Sequence, residues 1–163
     1  MLRPALVATL IALCSAPVAC AEPAEPAGPA DPGPAQASDA CTAERAGVMT
    51  WLPGATMPSV CQNFAWQPQT TPQPPADRWL STGPPLKLHG QGQRNPNLAA
   101  GNWVGTPQDS SSVCRAQHQV VVSPGELSAA HTDEGQPGQP LAVELPPRTF
   151  TIELAGYCLW VRA

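Results

Sequence analysis

Hydrophobic and polar positions alternate with a period of two in the C-terminal third of the chain. The segment 141–145 alternates leucine and valine with alanine and glutamate, and the segment 149–154 places its apolar residues on one face and its threonines and glutamate on the other. This period is typical of half-buried β-strands. We predict two further strands, at 114–122 and at 157–161, and expect a tight turn at Ala155-Gly156 before the second of them.

A short internal repeat predicts how these strands pair. In each of the segments 98–122 and 141–163, a leucine lies five residues before an aromatic residue, and a cysteine follows the aromatic. We therefore predict one hairpin per segment, with the two hairpins facing each other. The fold class that follows is mainly β, a small sandwich or barrel of hairpins stapled by disulfides, whose core contains Trp103, Phe150, Ile152 and Trp160.

The cysteines support an oxidising compartment. Two of the six cysteines, Cys14 and Cys20, precede the folded part of the chain, and no pair among the other four has C-x-x-C spacing. The even remainder predicts two disulfides among three possible connectivities. We prefer the pairs Cys41–Cys61 and Cys114–Cys158.

The N-terminus has the layout of a secretory signal peptide, predicted over residues 1–21. A positive start at Arg3 precedes an apolar run at 5–13, which is too short to cross a bilayer. Cleavage after Ala21 is the preferred interpretation. The alternatives are a lipid anchor on Cys20 and an N-terminal segment that stays uncleaved as an anchor. No other segment is apolar enough to span a membrane, so no transmembrane span is expected in the mature protein.

Composition then divides the rest of the chain. Residues 22–40 are rich in proline and alanine and carry acids but no base, which predicts a disordered spacer. Residues 41–163 form the predicted single β-rich domain. The 22 prolines of the chain exclude a helical bundle. Prolines between 66 and 85 argue for extended chain on the surface rather than a central strand.

Tryptophan is the one residue type in this chain that is both abundant and suited to binding a ligand. All five tryptophans lie after Cys41. The repeat places Trp103 and Trp160 in the core, where tryptophan buries the most area. The three others lie among prolines, and we predict that they form a possible binding surface for a glycan or a peptide: Trp51, Trp66 and Trp79.

The remaining polar clusters do not predict chemistry. The run His131-Thr-Asp-Glu134 groups a base with two carboxylates, but its glycine- and proline-rich flank favours a solvated turn. His118 is interpreted as a half-buried strand residue. We therefore predict no catalytic residue, no cofactor and no metal site. A net charge of −4 with a single lysine also gives no electrostatic basis for binding nucleic acid.

One pattern in the C-terminal region resembles a known family. The segments Leu145-Pro-Pro-Arg-Thr-Phe150 and Gly156-Tyr-Cys-Leu-Trp160 are similar to the Pro-Gly-Thr-Tyr … Cys-Tyr-Trp motif of small exported β-domains of actinobacterial type. The sequence departs from that motif at Arg148, where the family has glycine. The resemblance implies an exported, all-β protein and supplies no catalytic residues.

The sequence as a whole favours an exported, non-catalytic protein, secreted or in the cell envelope, that binds an envelope component, a glycan or a protein. One alternative is a secreted protease inhibitor, with the disulfide-anchored loop 53–61 entering a protease cleft. A second alternative is a small extracellular hydrolase that uses Asp133 and Glu134.

Overall fold

The computed structural model describes residues 40–69 and 74–163. The predicted signal peptide, the alternative anchor at Cys20 and all but the last residue of the spacer lie outside this part. The described chain holds one turn of 3-10 helix (Ala43–Arg45) and ten strands: β1 (Met49–Thr50), β2 (Ser59–Gln62), β3 (Ala65–Pro68), β4 (Arg78–His89), β5 (Gly101–Pro107), β6 (Arg115–Ser123), β7 (Glu126–Leu127), β8 (His131–Glu134), β9 (Leu141–Leu145) and β10 (Thr149–Arg162). The prediction of a mainly β protein is confirmed.

The longest strand, β10, organises the sheet. One of its edges pairs with β4 over nearly the full length of both strands. The other edge is shared, because β6 pairs with the first half of β10 and β5 with the second half. The order β3-β2-β1-β4-β10-β5-β9 places β9 and β3 at the two ends, and β7 and β8 extend the sheet beyond β6. The sheet is open and is not closed into the barrel that was one of the two predicted forms.

The core lies where the two halves of β10 meet their partners. Trp79, Trp103 and Trp160 are all at most 2% exposed, and leucine, isoleucine and valine side chains from β4, β9 and β10 pack around them. The predicted alternation in 141–145 is confirmed, because Val143 and Leu145 are buried and their neighbours are not. The core assignments of Trp103 and Trp160 are confirmed as well.

Both preferred disulfides are present. Cys41 is bonded to Cys61 and Cys114 to Cys158. The second bond joins the residue before β6 to β10, at the point where the shared edge of β10 passes from β6 to β5. Two disulfides are typical of a protein outside the reducing cytosol.

The two predicted hairpins are wrong. In the described chain β5 pairs with β9 and β10, whereas β6 pairs with β7, β8 and β10. β9 likewise pairs with β5 and not with β10. The strands of the repeat are therefore real, but in the described chain neither segment pairs its own two strands with each other. Period-two patterning identifies a half-buried strand and does not specify its neighbour.

The predicted turn at Ala155-Gly156 is also wrong, because the chain continues through it as a single strand. Gly156 has a φ of 86° and lies at a register shift between β10 and β4. The positive φ therefore forms a bulge within β10, and this bulge coincides with the change of partner on its other edge. Such bulges bend a strand and increase its local twist.

The bulge in β10 also explains how two prolines occur in β4, the central strand that pairs with it. β4 lies between β1 and β10, contrary to the predicted surface path, and contains Pro84 and Pro85. The residues of β4 from Leu86 to His89 and from Arg78 to Gly83 have partners on β10. Pairing is interrupted between Gly83 and Leu86. The two prolines thus lie in the interrupted part, where no backbone N–H is required.

A second register shift corrects one predicted core residue. The pairing of β10 with β6 shifts between Thr149 and Thr151, so the alternation is lost there. Thr149 is 1% exposed and Phe150 is only partly buried, the reverse of the prediction. The buried Thr149 hydroxyl has a hydrogen-bond partner, because it donates to the carbonyl of Pro146 at 2.7 Å.

A buried hydroxyl connects β4 to β10 at the bulge and beyond it. Ser81 is 1% exposed, and its Oγ accepts the indole N–H of Trp160 at 3.0 Å and donates to the carbonyl of Gly156 at 2.7 Å. We expect Ser81→Ala to lower the free energy of unfolding by about 2–4 kcal/mol, because two buried polar groups lose their partner. Urea unfolding followed by tryptophan fluorescence measures this loss.

The matched control is Ser123→Ala, which removes a surface hydroxyl that donates to Glu126. This variant is expected to change stability by no more than about 0.5 kcal/mol. Equal losses in the two variants would contradict the role assigned to Ser81.

Candidate functional site

One end of the sheet is built from a segment without ionisable side chains. Residues 46–76 contain no aspartate, glutamate, lysine, arginine or histidine. This segment supplies β1, β2 and β3 and the loop between β1 and β2. It also carries two exposed apolar side chains, Phe64 at 77% and Met57 at 37% exposure. The strands β1, β2 and β3 and the β1–β2 loop therefore present no charged side chain.

A cavity of about 270 Å³ lies within this end of the molecule. Its walls come from β1, the β1–β2 loop, the chain before β4 and the loop between β4 and β5. Most of the lining is apolar, and its polar members are neutral. The lining residues, which define the Trp51–Trp79 cavity, are Met49, Trp51, Thr56, Met57, Pro58, Gln69, Pro74, Ala76, Trp79, Asn95, Pro96 and Asn97.

Each tryptophan of this cavity is held by a different element. Trp79 lies on β4 opposite Met49 on one side and Trp160 on the other, so its ring is part of the core. Trp51 follows β1, and its indole N–H donates to the carbonyl of Ala55 at 2.9 Å. This hydrogen bond fixes the half-buried Trp51 ring against its own loop before any ligand arrives, which lowers the entropic cost of binding.

The part of the wall formed by the β4–β5 loop is also preformed. Asn97 accepts the backbone N–H of His89 through Oδ1 and donates its own N–H to the His89 carbonyl, both at 2.8 Å. The Asn97 carbonyl accepts from Ala76 at 2.9 Å. These bonds join the β4–β5 loop to the chain that enters β4. The β4–β5 loop thus contributes Asn95, Pro96 and Asn97 to the lining of the cavity.

One of the lining residues has a buried donor without a partner in the described part of the protein. The indole N–H groups of Trp51, Trp103 and Trp160 each donate a hydrogen bond. Nε1 of Trp79 is buried and donates to no acceptor in the described part of the protein. A buried polar group left in this state costs roughly 1–3 kcal/mol. An acceptor that reached this N–H group would therefore be favourable.

The structure brings together two of the three predicted binding tryptophans. Trp51 and Trp79 both line the cavity, whereas Trp66 lies half-buried on β3, outside the lining. The expected exposure of Trp79 is wrong, since it is 1% exposed. Its proline-rich surroundings concealed the fact that β4 is a central strand.

The sequence interpretation missed the rest of the lining. Met49, Met57 and the segment 95–97 had no motif to identify them, and they lie far apart along the chain. The absence of charge over residues 46–76 was the available signal. An uncharged stretch that carries tryptophan and methionine is what a buried or ligand-covered surface requires.

The disulfide-anchored loop proposed for an inhibitor contributes to the same cavity. Within 53–61, the lining residues are Thr56, Met57 and Pro58. The loop therefore has a structural role in forming the cavity wall. The inhibitor alternative stays a prediction.

The acidic cluster is a strand and not the predicted turn. Residues 131–134 form β8, which pairs with β6. Successive side chains of a strand point to opposite faces, so Asp133 and Glu134 diverge. Asp133 lies 3.3 Å from the ring of His131, and Glu134 lies 3.7 Å from Arg115. This divergence does not favour the paired carboxylates of the hydrolase alternative.

His118 is buried beside this strand. It is 7% exposed, and its ring centroid is 5.2 Å from that of His131. Burial lowers the pKa of His118, the charge of His131 lowers it further, and Asp133 opposes the shift. The neutral imidazole is therefore favoured. No cluster of three or more metal-ligating side chains occurs within residues 40–69 and 74–163.

Comparisons with known proteins leave the site to be interpreted on its own geometry. No protein-family model, curated protein or solved structure matches the chain. In the part of the chain that the structure describes, no helix is long and apolar enough to cross a membrane.

Proposed function

We propose that the protein is exported and acts outside the cytoplasm as a non-catalytic binding module, with its ligand in the Trp51–Trp79 cavity. The observation that carries the proposal is a preformed, neutral, mostly apolar cavity with two tryptophans in its wall. Pockets of this kind, with a few fixed polar groups, are the usual sites for uncharged ligands. The signal-peptide layout, the disulfides and the resemblance to exported β-domains support the location.

The neutral lining favours an uncharged ligand. None of the lining residues can form an ion pair, so a charged group inside the cavity would lose its hydration without compensation. An apolar group that carries a hydrogen-bond acceptor suits the walls best. The amides of Gln69, Asn95 and Asn97 supply polar contacts, and the half-buried ring of Trp51 supplies aromatic contact area.

The test uses N-phenyl-1-naphthylamine, a neutral aromatic probe whose fluorescence rises in apolar surroundings. We expect saturable binding to the wild-type protein and roughly tenfold weaker binding to Trp51→Ala. Loss of a large aromatic contact is worth about 1.5–3 kcal/mol, and each 1.4 kcal/mol corresponds to about a factor of ten.

Trp66→Ala is the matched control, because it removes a half-buried tryptophan outside the cavity. Its affinity for the probe should lie within about twofold of wild type. Circular dichroism confirms that both variants are folded. Absence of probe binding to the wild type, or equal loss in both variants, would contradict the proposed function.

A further inference from the structure

The thioether sulfurs of the described chain lie together in the wall of the cavity. All four cysteines of this part of the protein are bonded in disulfides, so sulfur outside a disulfide occurs there only in Met49 and Met57. Both methionines line the Trp51–Trp79 cavity. Oxidation converts the apolar side chain of methionine into a polar sulfoxide. The chemistry of the wall therefore depends on the oxidation state of these two residues.

The two methionines differ in their access to solvent. Met49 lies on β1, is paired with Val60 on one side and with Trp79 on the other, and is 5% exposed within the hydrophobic core. Met57 lies in the β1–β2 loop and is 37% exposed. A small solute reaches Met57 in the folded protein, whereas Met49 becomes accessible only when the sheet opens locally.

The loop around Met57 is fixed on both sides of this residue. Before it, the indole N–H of Trp51 donates to the carbonyl of Ala55 at 2.9 Å. After it, the carbonyl of Pro58 accepts the backbone N–H of Gln69 at 2.9 Å. These two bonds tie the backbone on either side of Met57 to other parts of the cavity wall, so the side chain stays in the wall when its chemistry changes.

We propose that Met57 is a site of oxidative modification that controls ligand binding, and that the oxidant is hydrogen peroxide. The thioether sulfur attacks one peroxide oxygen, so that an S–O bond forms and the O–O bond breaks. Sulfur loses two electrons to the peroxide, whose second oxygen leaves with both protons as water. The inference rests on the proposed function, since it requires a ligand in the cavity, and it adds the regulation of that site.

Oxidation of Met57 weakens the binding of an apolar ligand. The sulfoxide oxygen is a hydrogen-bond acceptor in a mostly apolar wall, and an apolar group that covers it removes its hydration without returning a hydrogen bond. The charge of the wall does not change, so the effect is one of polarity. Methionine sulfoxide reductases reverse the modification and restore the apolar side chain.

The experiment treats the whole exported protein with hydrogen peroxide and locates the added oxygen by mass spectrometry of its peptides. We expect the sulfoxide to form about tenfold faster at Met57 than at Met49, because only Met57 is accessible in the folded state. N-phenyl-1-naphthylamine should then bind roughly tenfold more weakly than before treatment. Circular dichroism checks that the oxidised protein is still folded.

Two matched variants assign the effect to one sulfur. Met57→Leu and Met49→Leu each replace a thioether by a hydrocarbon side chain of similar volume, an exchange that cores tolerate. The quantity compared is the ratio of probe affinities before and after peroxide within each variant, so a difference in starting affinity cancels. Peroxide should not change the affinity of Met57→Leu, and it should weaken binding to Met49→Leu as it does in the wild type.

A protection measurement links the sulfur to the occupied cavity. Saturating N-phenyl-1-naphthylamine should slow the oxidation of Met57 several-fold, because a bound probe covers part of the lining. Free N-acetylmethionine in the same solution detects peroxide that the probe itself consumes, since that loss would slow both reactions equally.

The outcomes separate this inference from the proposed function. Equal oxidation rates at the two methionines, or a sulfoxide at Met57 without loss of probe affinity, overturn the inference and leave the cavity as a ligand site. A loss of affinity that persists in Met57→Leu also overturns it, because the target is then another residue. If the probe does not bind the untreated protein, the proposed function fails, and control of binding by Met57 fails with it.

Discussion

Replacing Gly156 by alanine is expected to destabilise the protein by roughly 3–5 kcal/mol, because the new methyl group has no space and the backbone is left-handed. A Cβ at this position would lie 2.1 Å from the carbonyl oxygen of Val113 and 3.3 Å from Sγ of Cys158. The φ of 86° adds strain for any L-residue. The obstacle is backbone next to a disulfide, so it cannot move aside easily.

Gly125→Ala is the matched control for this prediction. Gly125 has a φ of 81°, but nothing lies within 4 Å of its Cβ position. Only the backbone strain applies there, which amounts to roughly 1–2 kcal/mol. Urea unfolding of both oxidised variants measures the difference. Similar losses in the two variants would mean that the bulge tolerates a side chain and that the contact with Val113 is unimportant.

Removing the Cys114–Cys158 disulfide by the double substitution Cys114→Ala/Cys158→Ala is expected to cost about 4 kcal/mol. The bond closes a sequence separation of 44 residues, and the chain-entropy model gives about this value for such a loop. Both cysteines are fully buried where β10 changes partner. Loss of the bond therefore raises the conformational entropy of the unfolded chain and removes the covalent link between the start of β6 and β10 in the native one.

The second disulfide provides the comparison. Cys41–Cys61 has a sequence separation of 20 residues, for which the same model gives about 3.3 kcal/mol. The double variant Cys41→Ala/Cys61→Ala should accordingly lose somewhat less stability than the other pair. Free-energy differences from urea unfolding, with absence of free thiols confirmed in the wild type, provide the measurement. Unchanged stability in both variants would show that neither bond stabilises the fold.

The sequence predicted strands more successfully than their pairing. Alternation in 141–145 is a local property, since each residue reports only which face it occupies. The partner of each strand depends on contacts between distant segments, such as Trp160 with Trp79. The repeat suggested hairpins because neighbouring strands in sequence often pair, but here the 14-residue β10 bridges both halves of the sheet and displaces those local pairings.

The candidate site was predictable only in part. Trp51 and Trp79 were identified by their residue type, and the structure brings both to one cavity. Asn97 carried no sequence signal, because its role depends on two hydrogen bonds to His89 that exist only after β4 forms. The orphaned indole of Trp79 is likewise a property of the packed state, since in an unfolded chain water would satisfy it.

By itself, the sequence determined the class of fold, the exclusion of long helices and the expectation of two disulfides among the four cysteines after residue 40. These properties follow from residue type, spacing and proline content, which act over short stretches or through simple counting. Tertiary structure alone decided that Gly156 forms a bulge, that β4 is central despite its prolines, and that the neutral segment 46–76 encloses a cavity. Those features arise from steric and hydrogen-bonding constraints between residues far apart in the chain, and no local pattern records them.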